Sequence, residues 1–418
     1  MAGLGKSIAE LRDRRQRFEE LIAAARRAAM GKSAVAAAPL QEVVAFGSNP
    51  GDLRMRLYAP ERFAHPPALI VALHGCGQTV EEYARGTGWP TFADRHGSIV
   101  VFPEQRPQNN ASHCFSWFRA GDNMRDCGEA LSIRQMVEHA AVRFGVDHRR
   151  MFATGLSAGG AMASVLLATY PEVFAGGAVV AGLPYGCAAS AKDAYVAMFA
   201  ERALSTRALG DSVRAASQHR GPWPKISVWH GTADPIVRPS NGEDVVRQWT
   251  DLHGLPPHPS REERIAGHTR RLWLGADGNP LIEAFSITGM AHAVPLGLST
   301  AADAYGAVGP FFLDVGICST QRIAHFWGLD LQRVGARHAA AEATGATVPS
   351  AAMRGEAARV AGRRMEVPPA DAVARLLDAT AAIAAAFKAA GLPIPQGSGP
   401  VTPSSIIAAA LEAAGLRK

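Results

Sequence analysis

The sequence predicts an α/β fold, with a mainly parallel central sheet flanked by helices. Two observations carry this prediction. Short apolar runs recur between about residues 40 and 330, and helical patterns lie between several of them. Strands that alternate with helices form parallel sheets, and near-continuous apolar runs are typical of strands buried on both faces. The predicted strands are Leu53–Tyr58 (which alternates, like a half-buried strand), Ala68–Leu73, Ser98–Phe102, Met151–Thr154, Ala175–Ala181, Ile226–Trp229 and Ile282–Ile287. The clearest predicted helices are Glu129–Phe144 and Gly160–Ala168.

The composition is that of an ordinary globular protein. Hydrophobic residues make up 48% and charged residues 19% of the 418 residues. No apolar run approaches the length of about 18 residues that a membrane-spanning helix needs, so no transmembrane segment is predicted. The first residues lack the hydrophobic stretch of a signal peptide, and on that ground we expect a cytoplasmic protein.

Charge and cysteine content exclude further function classes. The net charge is +6, and the basic clusters Arg12–Arg17 and Arg261–Arg271 are not interleaved with aromatic residues, so we expect no nucleic-acid partner. The five cysteines form no CxxC spacing, which argues against zinc, and their odd number excludes a full disulfide framework. We expect no metal and no organic cofactor. The sequence does not give the oligomeric state.

Both ends of the chain differ from the central region. An amphipathic helix is predicted over 5–30 from the spacing of Ile8, Leu11, Phe18, Leu21, Ile22 and Ala25, and a linker follows at 31–39. The Ala-rich end predicts a shorter helix at 404–415, after one whose apolar face holds Val373, Leu376, Leu377, Ile383, Ala384 and Phe387. The predicted division is therefore 1–39, 40–330 and 331–418.

The sharpest local signal is Gly155-Leu156-Ser157-Ala158-Gly159, a G-x-S-x-G motif. The pentapeptide alone is weak in a chain with 42 glycines. However, it directly follows the predicted strand at 151–154 and leads into a helical segment. This is the setting of a nucleophile elbow, in which the flanking glycines allow a tight turn. A serine hydroxyl becomes nucleophilic when a base takes its proton. Ser157 is therefore the predicted nucleophile of a hydrolase.

The acid and the base of the site are predicted from chain order and strand ends. After such an elbow the partners follow in the order acid, then histidine. Asp234 comes just after the predicted strand at 226–230, and His292 comes just after the strand at 282–287. Both positions lie where a parallel sheet presents site residues. Asp244 and Asp251 are rival acids, but they fall in a helical pattern beyond the loop.

The remaining histidines have less favourable positions. His74 and His230 stand at strand ends in His-Gly pairs, where we expect them to support loops by hydrogen bonds. A polar segment that we expect to face solvent contains His253, His258 and His268.

An oxyanion intermediate needs two backbone N–H donors, one of them from the residue after the nucleophile. That residue is Ala158. The second donor is expected from the loop after an early strand, and the glycine-rich loop His74–Gln78 follows the strand at 68–73. We therefore assign the second donor to Cys76.

Six motifs along the chain resemble the polyhydroxybutyrate depolymerase family of esterases, which includes short-chain polyhydroxyalkanoate depolymerases and related feruloyl and acetylxylan esterases. The resemblance spans about residues 45–330. The motifs are LHGCGQT (73–79), CFSWF (114–118), GLSAGGAM (155–162), AGLPYGCA (181–188), VWHGTAD (228–234) and GMAH (289–292).

This resemblance implies an α/β-hydrolase fold and a Ser–Asp–His triad, which falls on the three residues predicted above. It also matches a cysteine of the oxyanion loop to Cys76 and a second one to Cys114. These can be bridged in secreted relatives, and the bond stays open for this chain. The other three cysteines are expected to be buried small apolar residues: Cys127, Cys187 and Cys318.

The implied substrate is a short-chain poly(3-hydroxyalkanoate) or its oligomers. The alternative within enzymes is an esterase for small soluble feruloyl, acetyl-sugar or aryl esters, and the alternative outside enzymes is a catalytically silent granule-associated protein. Val294 departs from the family, which often has Trp there. Trp117 is a candidate aromatic wall of the binding site or, equally, a core residue. The amphipathic ends are expected to dock on a hydrophobic granule or to pack on the catalytic domain.

Overall fold

The computed structural model describes residues 16, 19–20, 22–24, 39–63, 66–199, 204–298 and 305–330. The chain divides into two compact units, Met1–Ala346 and Thr347–Lys418, and all the described residues lie in the first. No helix among the described residues is long and apolar enough to cross a membrane.

A ten-stranded mixed sheet forms the centre of the described unit, in the order β1-β2-β4-β3-β5-β6-β7-β10-β9-β8. Six neighbouring strands from β4 to β10 are parallel, and the two strands at each edge are antiparallel. These strands are β1 Gln41–Val43, β2 Arg54–Tyr58, β3 Leu69–Leu73, β4 Ile99–Glu104, β5 Met151–Leu156, β6 Gly176–Val180, β7 Lys225–Gly231, β8 Arg261–Ile265, β9 His268–Leu274 and β10 Pro280–Ile287. A separate parallel pair consists of β11 Val294–Leu296 and β12 Phe312–Asp314.

Helices cover both faces of the sheet. They are α1 Val80–Thr87, α2 Trp89–His96, α3 Ala120–Asn123, α4 Gly128–Phe144, α5 Ala158–Thr169, α6 Ala191–Phe199, α7 Thr206–Ala216, α8 Ser240–His253 and α9 Ser319–Trp327. The helix α5 is buried along its whole length, which explains why its sequence is apolar on every side rather than amphipathic.

The sheet separates two apolar cores. Along β3, Leu69, Val71 and Leu73 belong to one core, and Ile70 and Ala72 belong to the other. This alternation follows because successive side chains of a strand point to opposite faces. The first core includes side chains of α4, α5 and α8, and the second includes side chains of α1, α2 and α9.

The predicted α/β architecture is confirmed, and the seven predicted strands match β2 to β7 and β10 to within a few residues. The hairpin β8–β9 was not predicted, because its charged residues gave no strand pattern. Arg270 in β9 forms ion pairs with Glu263 of β8 at 2.9 Å and with the buried Glu283 of β10 at 2.8 Å. Opposite charges on neighbouring strands stabilise such an edge.

The expectation that the polar segment faces solvent is wrong for His268. This side chain is buried, with Nδ1 accepting from the Thr288 N–H and Nε2 placed 2.9 Å from the Val315 carbonyl oxygen. His253 is half-buried and lies 3.1 Å from the Pro224 carbonyl oxygen, and only His258 is exposed. The β9 strand carries His268 inward, which a polar sequence pattern could not reveal.

Part of the predicted N-terminal helix is described, and it is helical at residues 16, 19–20 and 22–24. Ile22 is buried and lies against Gly77, where an added Cβ would come within 2.5 Å of Ile22 Cγ2. This part of the helix therefore packs on the domain. The described residues do not include the other predicted apolar positions of that helix. They also do not include residues 31–38 of the predicted linker or the predicted C-terminal helices.

Candidate active site

The nucleophile elbow is formed where β5 ends and α5 begins. Ser157 has φ 58° and ψ −117°, a conformation that a residue with a side chain adopts only when its surroundings enforce it. Close packing requires glycine at both flanking positions of the motif. A Cβ added to Gly155 would lie 2.3 Å from Gly159 C, and a Cβ added to Gly159 would lie 2.3 Å from Leu73 O. The turn therefore excludes side chains on both sides of the serine.

Asp234 and His292 come together at the carboxyl edge of the same sheet. His292 Nδ1 lies 2.7 Å from Asp234 Oδ2, and both side chains are buried. The other carboxylate oxygen, Oδ1, accepts hydrogen bonds from the N–H groups of Ile236 at 2.9 Å and Val237 at 3.0 Å. The carboxylate is thereby fixed in orientation, and with His292 it forms the acid–base pair that the chain order predicts.

The strand order brings this pair toward Ser157. Strands β5, β6, β7 and β10 are consecutive parallel neighbours, so their carboxyl ends meet at one edge of the sheet. Ser157 follows β5, Asp234 follows β7 and His292 follows β10. The rival acids are engaged elsewhere, because Asp244 forms an ion pair with Arg247 at 2.8 Å and Asp251 with Arg214 at 2.6 Å.

The surroundings of Asp234 keep its carboxylate charged. Burial alone would raise the pKa of Asp234, but the charges and hydrogen bonds of His292 and His230 hold that pKa well below its ordinary value. His230 Nε2 lies 3.3 Å from Asp234 Oδ2 and 2.8 Å from the Val237 carbonyl oxygen. The sequence predicted only a loop-supporting role for His230, and the loop that it supports carries the acid.

The loop with the candidate oxyanion donor Cys76 is held by side chains. His74 Nδ1 lies 2.8 Å from the Gly75 carbonyl oxygen, and its Nε2 accepts from the Gln105 N–H. The Gly75 N–H donates to Gln78 Oε1 at 2.8 Å. Ala158 begins α5, where the first N–H groups of a helix have no intrahelical acceptor. Both candidate donors therefore lie on backbone that hydrogen bonds and packing fix in place.

A disulfide joins Cys76 to Cys114, the pair that the resemblance left open. It links the oxyanion loop to the CFSWF segment at 114–118. The expectation for the other cysteines is confirmed for Cys318, which is buried. It is wrong for Cys127 and Cys187, which are only half-buried, although Cys187 still packs against the first core.

A buried carboxylate that the sequence analysis missed anchors the CFSWF segment. Glu129 accepts from the Ser116 N–H at 2.8 Å and from Gln105 Nε2 at 2.6 Å. Burial raises the pKa of Glu129 to about 7, although both hydrogen bonds oppose the rise. Its place in the first turn of α4 is typical of an exposed helix-capping acid, so the sequence carried no signal of this role.

A cavity of about 150 Å³ lies beside Ser157. Its apolar wall includes Trp117, Phe118, Leu183, Met198 and Val237. Trp117 is buried and packs edge-on against Phe118, with ring centroids 5.4 Å apart. Trp117 is thus both a packed residue and part of the cavity wall.

The position at which relatives often have Trp is filled differently in this chain. Val294 is buried in β11 and pairs with Phe312 of β12. The aromatic neighbour of His292 is instead Phe311, whose ring stands edge-on to the imidazole at a centroid distance of 6.1 Å. Phe311 is far from His292 in sequence, so no local motif indicated it.

The chain is similar to known esterases. A family model described as Esterase PHB depolymerase matches residues 53–272. Poly(3-hydroxyalkanoate) depolymerase C from Paucimonas lemoignei is 42% identical over 69% of this chain and 70% of its own length. Feruloyl esterase B from Talaromyces stipitatus is 34% identical over 66% of this chain and 78% of its own length.

Among solved structures, an acetyl xylan esterase from Aspergillus awamori aligns with a TM-score of 0.60 at 23% identity. The alignment covers 70% of this chain and 100% of that one. This likeness confirms the α/β-hydrolase fold.

Proposed function

The chain belongs to the esterase PHB depolymerase family, and from this membership we propose that it is a serine carboxylic-ester hydrolase acting on short-chain poly(3-hydroxyalkanoate), such as polyhydroxybutyrate, or on its oligomers. The site residues proposed are Ser157, Asp234 and His292 as the triad, with Cys76 and Ala158 as oxyanion donors. Trp117 is proposed as a substrate contact.

The size of the cavity beside Ser157 is the observation that supports this substrate. The volume of the cavity, about 150 Å³, is that of a cavity that can hold a molecule of the size of benzene. One 3-hydroxybutyrate unit has six non-hydrogen atoms, as benzene has, whereas a feruloyl group has more than twice as many. The cavity volume is therefore sufficient for one unit of the polyester.

The proposed mechanism follows from the roles of the three side chains. Ser157 attacks the ester carbonyl while His292 Nε2 accepts its proton, and the Asp234 carboxylate orients the imidazole and stabilises its charged form. The N–H groups of Cys76 and Ala158 stabilise the oxyanion. His292 then gives the proton to the leaving alcohol. Water hydrolyses the acyl-enzyme by the same steps with the roles reversed, so that His292 takes a proton from water and returns it to Ser157 Oγ.

The test is clearing of a polyhydroxybutyrate granule suspension, measured beside hydrolysis of p-nitrophenyl butyrate. Ser157→Ala is the control for both. We expect the wild type to clear the suspension and Ser157→Ala to leave it turbid. Hydrolysis of the butyrate ester without clearing would keep the serine mechanism and move the substrate to small soluble esters, the alternative that the relatedness to feruloyl esterase B supports.

A silent granule-associated protein is the alternative of another class. A fluorophosphonate probe distinguishes it, because the reagent labels a serine only when a base activates it. We expect labelling of the wild type and none of Ser157→Ala. An unlabelled but folded wild-type protein would contradict the catalytic proposal.

Contact with a granule surface is the proposed role of the amphipathic ends if polymer is the substrate. The apolar helical spacing in 5–30 and 373–387 supports it. Ile22, however, packs on the domain, so the N-terminal helix has at least one apolar residue that is not available for docking. Deleting 331–418 should weaken granule binding and spare hydrolysis of p-nitrophenyl butyrate. Unchanged granule binding would contradict the role of the C-terminal part.

The cytoplasmic location stays a prediction. The Cys76–Cys114 disulfide favours an oxidising compartment instead, since such bonds are rare in the cytosol. Counting free thiols in protein taken from its own cells would decide between the two. Five thiols per chain support the cytoplasm, and three support an oxidising compartment.

A further inference from the structure

The cavity beside Ser157 has a cationic group in its lining. Arg119 lines it together with Ser157 and the apolar wall. The guanidinium carbon of Arg119 lies over the ring of Phe118, 5.9 Å from its centroid, and Phe118 is itself part of that wall. Arg119 is an exposed residue, so its positive charge lies where the cavity lining reaches the surface.

One acidic side chain of the described region, Asp122, interacts with this charge at longer range: burial raises the pKa of Asp122, and Arg119 partly opposes that rise. Among the described residues that line the cavity, Arg119 is the one with a formal charge. No ion pair joins it to a described carboxylate. The acid nearest in sequence, Asp122, accepts a hydrogen bond from the Glu129 backbone N–H instead. A cavity with an unpaired cation and apolar walls favours an anionic ligand.

The segment that carries Arg119 is fixed before any ligand binds. The Arg119 N–H donates to the Ser116 carbonyl oxygen at 2.9 Å, and Asn123 Nδ2 donates to the Trp117 carbonyl oxygen at 2.8 Å. Glu129 holds the Ser116 N–H, and the disulfide at Cys114 ties the start of the segment to the oxyanion loop. A backbone held in this way loses little entropy when a ligand binds.

The proposed substrate carries an anionic group at one end of its chain. An oligomer of a 3-hydroxy acid ends in a free carboxylate, and its last ester bond lies one unit away from that carboxylate. The cavity volume fits one such unit. Resting on the function proposed above, we propose that Arg119 binds the terminal carboxylate of an oligoester, so that Ser157 cleaves the last ester bond and releases one hydroxy acid.

The reaction remains an ordinary hydrolysis. The bond between the acyl carbon and the alcohol oxygen of the last unit breaks, and that oxygen takes the proton from His292. Water then supplies the hydroxyl group to the acyl carbon and a proton to His292, which passes that proton to Ser157 Oγ as the bond between Oγ and the acyl carbon breaks. The carboxylate held by Arg119 belongs to the leaving alcohol and takes no part in bond making.

The experiment compares the free acid of the linear 3-hydroxybutyrate trimer with its methyl ester as substrates. We expect the wild type to have the higher kcat/KM on the free acid. Arg119→Gln should lose about 10- to 100-fold in kcat/KM on the free acid, the size of a lost charge-assisted hydrogen bond. Its losses on the methyl ester and on p-nitrophenyl butyrate should be smaller, so that the ratio of kcat/KM on the free acid to kcat/KM on the methyl ester falls about tenfold or more.

Arg149→Gln is the matched control, because it removes the same charge from a loop at the opposite end of β5. That side chain is 91% exposed and pairs with Asp147. It should leave the ratio of free acid to methyl ester unchanged. The wild-type preference should also shrink as ionic strength rises, since an exposed guanidinium is screened.

The outcomes separate this inference from the proposed function. If the wild type cleaves both trimers equally and Arg119→Gln changes neither, the carboxylate subsite is wrong and the esterase proposal stands. If the wild type cleaves the butyrate ester but neither trimer, the subsite is wrong and the substrate class must change. If the folded wild type cleaves none of the three esters, the proposed function itself has failed.

Discussion

Asp234 Oδ2 and His292 Nδ1 lie 2.7 Å apart, and the Asp234 side chain has no exposed surface. Its second oxygen already accepts two backbone N–H groups, so the carboxylate presents one defined oxygen to the imidazole. This arrangement favours the tautomer with the proton on Nδ1, which leaves Nε2 free to act as the proposed base. It is the relationship on which the proposed mechanism depends most.

Replacing Asp234 by Asn should therefore abolish most of the activity without unfolding the protein. The Asn carbonyl oxygen can keep both backbone hydrogen bonds, but its amide would face the Nδ1–H and favour the wrong tautomer. We expect a fall of about 10⁴-fold in kcat on p-nitrophenyl butyrate. Asp244→Asn, which removes a carboxylate paired with Arg247, should stay close to wild type. A fall of less than tenfold in Asp234→Asn would contradict the triad.

Glu129 should make stability depend on pH. Because burial raises its pKa from 4.5 to about 7, the folded state holds the proton more tightly than the unfolded state does. The free energy of unfolding should therefore decrease as the pH rises from about 4.5 to 7. The loss should be complete above pH 7, at about 3 kcal/mol.

Denaturant unfolding of Glu129→Gln and the wild type at several pH values measures this effect. Between about pH 4.5 and 7, the free energy of unfolding of the variant should rise relative to that of the wild type. Glu138→Gln removes an exposed carboxylate from the same helix and should change the free energy of unfolding by less than about 0.5 kcal/mol. Parallel curves for Glu129→Gln and wild type would show that Glu129 is not buried as an acid.

The disulfide should matter for both stability and activity. It closes a loop with a sequence separation of 38, and opening such a loop costs about 3 to 4 kcal/mol in the chain-entropy model. The double substitution Cys76→Ser with Cys114→Ser should lower Tm, and it should lower kcat because the oxyanion loop loses its tether. Cys127→Ser is the control, since that thiol is free. Equal Tm and kcat in the double variant would contradict a structural role of the bond.

The elbow should not tolerate a methyl group at Gly159, where a Cβ would lie 2.3 Å from Leu73 O. We expect Gly159→Ala to cost at least about 1 to 3 kcal/mol and to lower kcat, because the strain can be relieved only by moving Ser157. Gly121→Ala has no atom within 4 Å of the added Cβ and should keep its Tm and kcat. An active, fully stable Gly159→Ala would show that the turn is less constrained than its contacts indicate.

The sequence was enough to predict the parallel part of the sheet and the positions of Ser157, Asp234 and His292. Each of these features has a local signal, either a continuous apolar run or a residue type at the end of such a run. Chain order supplied the rest, because the fold relates order to position at the sheet edge. The division of the chain at residues 39 and 330 stays a prediction.

The features that sequence reasoning missed depend on contacts between distant segments. The sequence around Glu129 indicates a helix-capping acid, and its role depends on a contact with the distant 114–118 segment. Phe311 is the neighbour of His292 because β11 pairs with β12. The hairpin β8–β9 holds its place by ion pairs across strands, and such pairs leave no periodic apolar signature. Tertiary contacts decided each of these cases, and local propensity did not.

The contact of Ile22 with Gly77 bears on how much of the chain makes up the working enzyme. The part that matches the family model begins at residue 53. However, Ile22, which lies thirty-one positions earlier, contacts Gly77 of the loop His74–Gln78. An expression product trimmed to the matched region would lack Ile22 and would expose to water the surface that this side chain covers at Gly77. The minimal engineered enzyme therefore has to start upstream of Ile22, and affinity tags are better attached at a distance from that residue.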